Sequence, residues 1–168
     1  ACLKMRPGSC VIHVRSRRVG RVESFEDGRF QISSEGLRPS LSPTDVVQTW
    51  EPLPSDDYRA LIAFDLPKLR QMAKDEPVRL VERLLASVNG RAEFKQLKFM
   101  LIPAVIPAAG WSAWWNSVKV AIKRSPTIEV GSGTQPVLEL RRKAATFADK
   151  FRADFLAAAG PFDKIKQV

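Results

Sequence analysis

The stretch from Val105 to Leu140 constrains the fold of this chain more than any other. It begins with apolar residues broken by prolines, continues as a tryptophan-rich run over residues 111–124, and ends in two short β-prone segments. Those segments, 127–130 and 137–140, predict a β-hairpin because the glycines between them favour a tight turn. A turn, a helix and a hairpin in direct succession form the second half of a winged helix-turn-helix, which we predict here.

Three further helices are predicted before this stretch. Asp65 can cap a first helix that continues through residue 75. A second helix is predicted over 78–87, closed by Asn89-Gly90, a pair that tolerates left-handed backbone. For a third helix, over 92–101, we expect a buried side made of Phe94, Leu97, Leu101 and either Phe99 or the stem of Lys98.

The first 52 residues predict an all-β domain. Asp27-Gly28 is a strong hairpin signal, because it supplies the positive φ angles that tight turns need. Short strands separated by glycine and serine turns are predicted over 9–15, 19–25, 30–33, 37–41 and 45–49. Such a pattern favours a small SH3-like barrel of the Tudor or KOW type, in which closure removes exposed sheet edges.

We therefore predict an α+β protein in four parts. The barrel covers 1–52, and a linker covers 53–64, where prolines and acids interrupt regular structure. The winged-helix domain covers 65–142, and a C-terminal helix covers 143–168, with Phe147, Phe151 and Phe155 at four-residue spacing. A chain that starts with alanine instead of methionine is typical of a fragment of a longer protein.

The charge of the chain favours a polyanionic partner. Lys and Arg number 27 against 18 Asp and Glu, a net charge of +9. Residues 111–168 carry ten of the basic and five of the acidic residues, which is more than half of the net charge. We expect any contact with a polyanion to lie in this last third.

Several classes of protein are disfavoured. Cys2, Cys10 and the single His13 match no zinc or disulfide pattern, and His13 has no recognisable nucleophile partner. No glycine-rich phosphate loop opens a helix. We expect no catalytic activity, cofactor, metal site or small-molecule substrate. Without a signal peptide or an apolar run of about 18 residues, we expect a cytoplasmic protein that does not span a membrane.

The helix over 111–124 carries the main candidate site. At about 100° per residue, its tryptophans share one side with Val118 and Ile122, and we predict that this side is core. The opposite side has three basic residues and no acid, and it could contact phosphates or base edges or be merely solvated. The predicted nucleic-acid contacts are Ser112, Asn116, Lys119, Lys123, Arg124, Arg141 and Arg142.

Two other features have open interpretations. The hairpin over 127–140 could lie along a nucleic-acid backbone, since its glycines allow close approach, or could only support the helix. A second basic patch surrounds the first β-turn and could bind RNA, DNA or an acidic protein surface, or be four solvated arginines. It consists of Arg15, Arg17, Arg18 and Arg21.

The pattern over 95–140 resembles the N-terminal region of the long-form transcription elongation factors of the Gre family. The likeness rests mainly on Trp111-Ser112, Trp114-Trp115 and the following Ser125-Pro126 with its Ile-Glu-Val segment, and the run 66–85 is similar too. Gre factors stimulate transcript cleavage through acidic residues at the tip of a coiled coil. No residue of this chain can be assigned to that tip, so the resemblance does not imply cleavage activity.

A second resemblance concerns the β-rich part. Arg6-Pro-Gly-Ser, Val19-Gly-Arg-Val and Asp27-Gly-Arg-Phe look like segments of KOW, Tudor and CarD-type barrels. That resemblance implies contacts with RNA polymerase, the ribosome or RNA, by analogy of fold alone.

Together these patterns predict a non-enzymatic, transcription-associated binding module that contacts RNA polymerase, nucleic acid or both, with DNA favoured over RNA. Two alternatives stay open at this point. One is a protein–protein interaction scaffold that does not bind nucleic acid. The other is an RNA-associated or ribosome-associated factor.

Overall fold

The computed structural model describes residues 5–133 and 135–141, which form two antiparallel sheets and six α-helices. The C-terminal helix predicted for 143–168 lies outside the described residues, as do Cys2 and Arg142. In chain order the elements are β1 (Cys10–His13), β2 (Val19–Glu26), β3 (Arg29–Ser33), β4 (Ser40–Leu41), α1 (Pro43–Thr49), β5 (Trp50–Leu53), α2 (Tyr58–Phe64), α3 (Leu66–Asp75), α4 (Pro77–Ser87), β6 (Arg91–Glu93), α5 (Phe94–Leu101), α6 (Trp111–Arg124), β7 (Ile128–Val130) and β8 (Val137–Leu140).

The first sheet has the strand order β4-β3-β2-β1-β5 and is open, with β4 and β5 as its two edges. The predicted closed SH3-like barrel is therefore not confirmed. The segment 45–49, predicted as a strand, is part of α1 instead. A capping box explains the difference: Ser42 Oγ accepts a hydrogen bond from the Asp45 amide at 3.2 Å, and the Ser42 amide donates to Asp45 Oδ2 at 3.3 Å.

One face of this sheet packs a small core of its own beneath α1. Its fully buried residues include Val11, Val22, Ile32 and Val46. Gly20 lies where a side chain would not fit, since a Cβ there would be 2.8 Å from Ile32 Cγ2. The same Cβ would be 3.0 Å from Trp50 Cζ3. Glycine at this position of β2 thus lets the two large side chains close over the strand.

The other face of the sheet is covered by α2, a helix that forms inside the segment predicted as a linker. Ala60 packs with Cys10, Ile12 and Leu53, and the Arg21 guanidinium lies 4.4 Å from the centre of the Phe64 ring. Asp57 begins the helix, because its Oδ1 accepts a hydrogen bond from the Arg59 amide at 2.9 Å. This helix joins the sheet to the helical part of the chain.

The next two helices follow the prediction closely. Asp65 caps α3 by accepting a hydrogen bond from the Lys68 amide at 3.3 Å, and α4 begins one residue earlier than predicted. Asn89 and Gly90 have φ angles of 61° and 81°, the left-handed backbone expected after a helix. No helix among the described residues combines the length and the apolar composition that a membrane crossing requires.

The prediction of the third helix is wrong about the residue at which the helix begins and about one of its buried residues. Residues 91–93 form β6, because they pair with β8, Ala92 lying opposite Leu138. The helix α5 begins only at Phe94, and its buried residues are Leu97 and Leu101. Phe99 is 83% exposed and does not join the core.

The order α4, α5, α6, β7, β8 is that of the predicted winged helix-turn-helix, and β6 is an additional strand. The second sheet has the strand order β6-β8-β7, and α6 has the predicted bounds. The connection from α5 to α6 covers 102–110, which is longer than the roughly 3–4 residues of the usual turn in this motif. Part of it is a 3-10 turn over Ala108–Gly110.

Tyr58 fixes the start of α2 against the helix-turn-helix. Its hydroxyl donates a hydrogen bond to the Met100 backbone oxygen at 2.6 Å, and its side chain is buried. Burial raises the pKa of Tyr58 from 10.0 to about 12, because the phenolate would lose its hydration.

We predict that the folded protein is destabilised between about pH 10 and pH 12. In that window an unfolded tyrosine ionises while the folded one stays protonated, so the free energy of unfolding falls by about 2–3 kcal/mol. The chain has a single tyrosine, so phenolate absorbance measures Tyr58 alone. Its midpoint should lie near 12 in the folded protein and near 10 in concentrated urea. Tyr58→Phe should remove this part of the pH dependence, and equal midpoints in the two states would contradict the prediction.

Candidate nucleic-acid interface

The inner side of α6 is held in the core as predicted. Trp111, Val118 and Ile122 are buried, while the neighbouring Trp114 is half-buried. Phe94 of α5 lies 4.8 Å, centroid to centroid, from the Trp115 ring. These contacts fix the rotation of α6 about its own axis, so the residues that point outward are determined by the packing of the inner side.

The outer side of α6 is exposed and positively charged. Ser112, Asn116, Lys119, Lys123 and Arg124 are all exposed, and the helix contains no carboxylate. Lys119 Nζ donates a hydrogen bond to Asn116 Oδ1 at 2.8 Å, so these two predicted contact residues are already neighbours. All the predicted contacts on α6 are thus exposed, and we call these five residues the basic face.

The turn after α6 ties the hairpin to α4. Ser125 is buried, and its Oγ accepts a hydrogen bond from the Thr127 amide at 3.2 Å. The Thr127 hydroxyl lies 2.7 Å from Ser125 Oγ and donates to a carboxylate oxygen of Glu82. These groups set where β7 leaves the helix, and they are not among the residues predicted from the sequence. The segment Ser125-Pro126-Thr127 indicates in the sequence that the helix ends here. Its partner Glu82 lies far away in the chain, so the contact between them does not follow from the local sequence.

The hairpin turn is exposed, and Gly133 has a φ of 103° that other residues rarely adopt. Arg141 follows β8 and lies 3.4 Å from Glu129 of β7, measured from Nη1 to Oε2. The Arg141 side chain is 33% exposed, and its charge is partly taken up by the contact with Glu129.

The second basic patch is only partly available. Arg18 lies 3.2 Å from Glu35, and Arg21 packs on Phe64 as described above. Arg15 and Arg17 are exposed at the β1–β2 turn, and no ion pair found in the described residues involves them. The four arginines therefore do not act as one uniform cluster.

The adjacent acids Asp56 and Asp57, in the segment predicted as a linker, have structural partners. Asp56 Oδ2 lies 2.6 Å from Arg83 Nη1, and this hydrogen-bonded contact lowers the pKa of Asp56. Asp57 caps α2 and chelates the Arg59 guanidinium at 2.9 and 3.0 Å. Within residues 5–133 and 135–141, no group of three His, Cys, Asp or Glu residues could hold a metal ion.

Comparison with known proteins identifies the helical part. The model of the GRAD helix-turn-helix domain matches residues 59–145, slightly more than half of the chain. The transcription elongation factor GreA of Chlamydia pneumoniae is 31% identical over 130 residues, and that of Chlamydia trachomatis serovar D is 25% identical over 155 residues. These alignments cover 75% and 90% of this chain but 18% and 22% of the relatives, so the chain spans about a fifth of their length.

No solved structure matches the chain. These comparisons support a Gre-like relationship of the chain. The resemblance of residues 1–52 to KOW, Tudor and CarD-type barrels is not confirmed and stays a prediction.

We predict that Ser125→Ala destabilises the protein by about 1–3 kcal/mol, because the partly buried Thr127 amide then loses its acceptor. Ser132→Ala, at the exposed hairpin turn, is the matched control and should change stability by less than about 0.5 kcal/mol. Urea unfolding of both variants measures the difference. Equal stabilities would show that the Ser125 hydroxyl does not support the turn.

Proposed function

This chain belongs to the GRAD helix-turn-helix family, and we propose that it is a non-enzymatic, cytoplasmic binding module of the transcription apparatus. We propose that residues 65–142 contact nucleic acid, duplex DNA in preference to RNA. Residues 1–52 would contact RNA polymerase. The proposal is supported by the family match and by the similarity to proteins named transcription elongation factors.

The observation that carries the nucleic-acid part is the basic face of α6. Lys119 and Lys123 lie four residues apart and therefore on one side of the helix, facing solvent without a carboxylate on the same helix. Helix-turn-helix proteins place such a helix in the major groove, where lysines neutralise phosphates and an Asn can contact a base edge. Asn116 is within reach of such a role because it lies beside Lys119.

The hairpin supplies a second contact to the same partner. Its exposed Gly131, Ser132 and Gly133 present backbone without bulk, and Arg141 stands at its base. Because Ser125 and Thr127 hold β7 against α4, the hairpin keeps a fixed position beside α6. We propose that it follows the sugar-phosphate backbone next to the groove that α6 enters. Arg142 would add a further phosphate contact.

For the polymerase contact we propose the β1–β2 turn, where Arg15, Arg17 and Arg18 are exposed, together with the exposed Arg21 of β2. This assignment follows the resemblance of the segment to polymerase-binding barrels. The open sheet with its own core is a rigid base for such a loop. The acidic coiled-coil tip of Gre factors has no counterpart assigned in this chain, so cleavage stimulation is not proposed.

We predict that Lys119→Ala/Lys123→Ala weakens binding to a labelled random duplex DNA and flattens its salt dependence. Each lost phosphate contact reduces the slope of log affinity against log salt by about 0.9, so the double variant should lose roughly 2. Fluorescence anisotropy between about 50 and about 200 mM salt measures this slope. An RNA duplex of the same sequence tests the preference for DNA.

The matched control is Arg38→Ala/Lys68→Ala, which removes the same charge from exposed positions away from α6. An equal change in slope for both double variants would mean that the net charge of +9 attracts DNA without a defined site. The basic face would then not be the interface. No binding at about 50 mM salt would favour the protein–protein scaffold.

We predict that Arg15→Glu/Arg17→Glu reduces retention of a bacterial RNA polymerase on the immobilised chain. Reversing two exposed charges at an interface costs several kcal/mol when they face opposite charges. Lys68→Glu/Lys95→Glu makes the same change of charge on the helical part and should retain the polymerase. Loss of retention in both variants would show charge-driven adsorption, and retention in both would remove the β1–β2 turn from the interface.

A further inference from the structure

A groove lies between the end of α3, the α5–α6 connection and the first turns of α6, with a volume of about 450 Å³. Its floor is apolar, formed by Val105 and Ile106, each 4% exposed, and by Ala73, 7% exposed. Its walls are the exposed Pro103 and Pro107 and the half-buried ring of Trp114. The unusual length of the α5–α6 connection creates this groove, because the extra residues fold back beside α3.

Two hydrogen bonds hold the walls of the groove in place. Arg70 Nε donates to the Ala104 backbone oxygen at 2.9 Å, which attaches the α5–α6 connection to α3. Trp114 Nε1 donates to the Ala73 backbone oxygen at 2.8 Å, which attaches α6 to the same helix. The groove is therefore formed before any ligand arrives, which lowers the entropic cost of binding.

The rim of the groove is positively charged. Arg70 and Lys74 are both exposed and lie four residues apart on α3, so they stand on the same side of that helix. No carboxylate is among the described residues that line the groove. The nearby Asp75 lies about 100° around the helix from Lys74. Its carboxylate accepts a hydrogen bond from Gln71 and is therefore directed to another side of α3 than Lys74.

We propose that this groove docks a short acidic segment of a partner protein, which inserts one apolar side chain. The apolar side chain would pack between Trp114 and the two prolines, and flanking carboxylates would pair with Arg70 and Lys74. Apolar contact plus complementary charge at the rim is how peptide grooves combine affinity with selectivity. The chemistry suits a peptide better than a nucleobase. The single polar atom of the Trp114 side chain is already bonded to Ala73, so that ring offers a base edge no donor.

The groove and the basic face lie on different sides of α6. Trp114 and Asn116 are two residues apart, which is about 200° around a helix. A protein segment in the groove and a nucleic acid on the basic face would therefore not compete for the same atoms. This inference does not depend on the proposed binding of nucleic acid, and either can fail alone.

The test is a titration of the ¹⁵N-labelled chain with the synthetic peptide acetyl-Ser-Glu-Asp-Leu-Asp-Glu-Ser-amide. The four tryptophans give four indole N–H signals, and Trp114→Phe identifies the one from the groove. We expect saturable movement of the Trp114 signal, with the Trp50 signal unchanged. Replacing the leucine of the peptide by serine should abolish the movement, because the apolar anchor is lost.

The deciding variants are Lys74→Glu and its matched control Lys68→Glu. Both change one exposed lysine of α3 in the same way, but Lys68 does not line the groove. Lys74→Glu should weaken peptide binding roughly tenfold, since it replaces an attraction by a repulsion, and Lys68→Glu should have little effect. Equal weakening in both variants would show diffuse attraction to a basic protein and overturn the proposal.

Two other outcomes would also overturn it. One is the absence of any movement of the Trp114 signal up to about 1 mM peptide, the weak end of useful affinities. The other is movement of that signal on addition of duplex DNA, with loss of the effect in Lys74→Glu and no response to the peptide. In that case the groove belongs to the nucleic-acid interface. Melting curves of both variants establish that each is folded.

Discussion

The burial of one side of α6 is the constraint on which the helical part of the structure depends. Ile122 is fully buried and Val118 nearly so, within a core that also contains Leu84, Leu97 and Leu138. Turning the helix to bring a lysine inward would bury an unpaired charge, which costs far more than the packing could return. The same contacts therefore stabilise the domain and determine that the basic face points to solvent.

This core also fixes the neighbours of α6. The buried Ser125 and the Thr127 hydroxyl anchor the hairpin on Glu82 of α4, and the Trp114 indole anchors the groove on α3. One helix thus contributes to two surfaces of different chemistry, one basic and polar, the other apolar with a basic rim. A module that joins a nucleic acid to a protein partner needs two such separated surfaces.

The open sheet is connected to the helical part of the chain through α2, whose first residue, Tyr58, bonds to α5, while Ala60 packs on the sheet. The Arg21 guanidinium of β2 packs on the Phe64 ring of α2 and adds to the contact between the sheet and this helix. A residue of the predicted second basic patch, although exposed, is thereby engaged in a contact within the protein. The surface left for a partner at the β1–β2 turn is smaller than the count of arginines indicates.

Local sequence signals account for the features that depend on neighbours a few residues apart. The bounds of α6, the hairpin with its glycine turn and the cap at Asp65 all follow from local periodicity and capping. The helix α1 was missed although its signal, Ser42 three residues before Asp45, is also local. Tertiary structure alone decided the open sheet, the strand β6 and the exposure of Phe99, because strand pairing joins segments such as 91–93 and 137–139 that lie far apart in the chain. It also decided the groove, since Arg70, Pro103 and Trp114 come together only when the α5–α6 connection packs against α3.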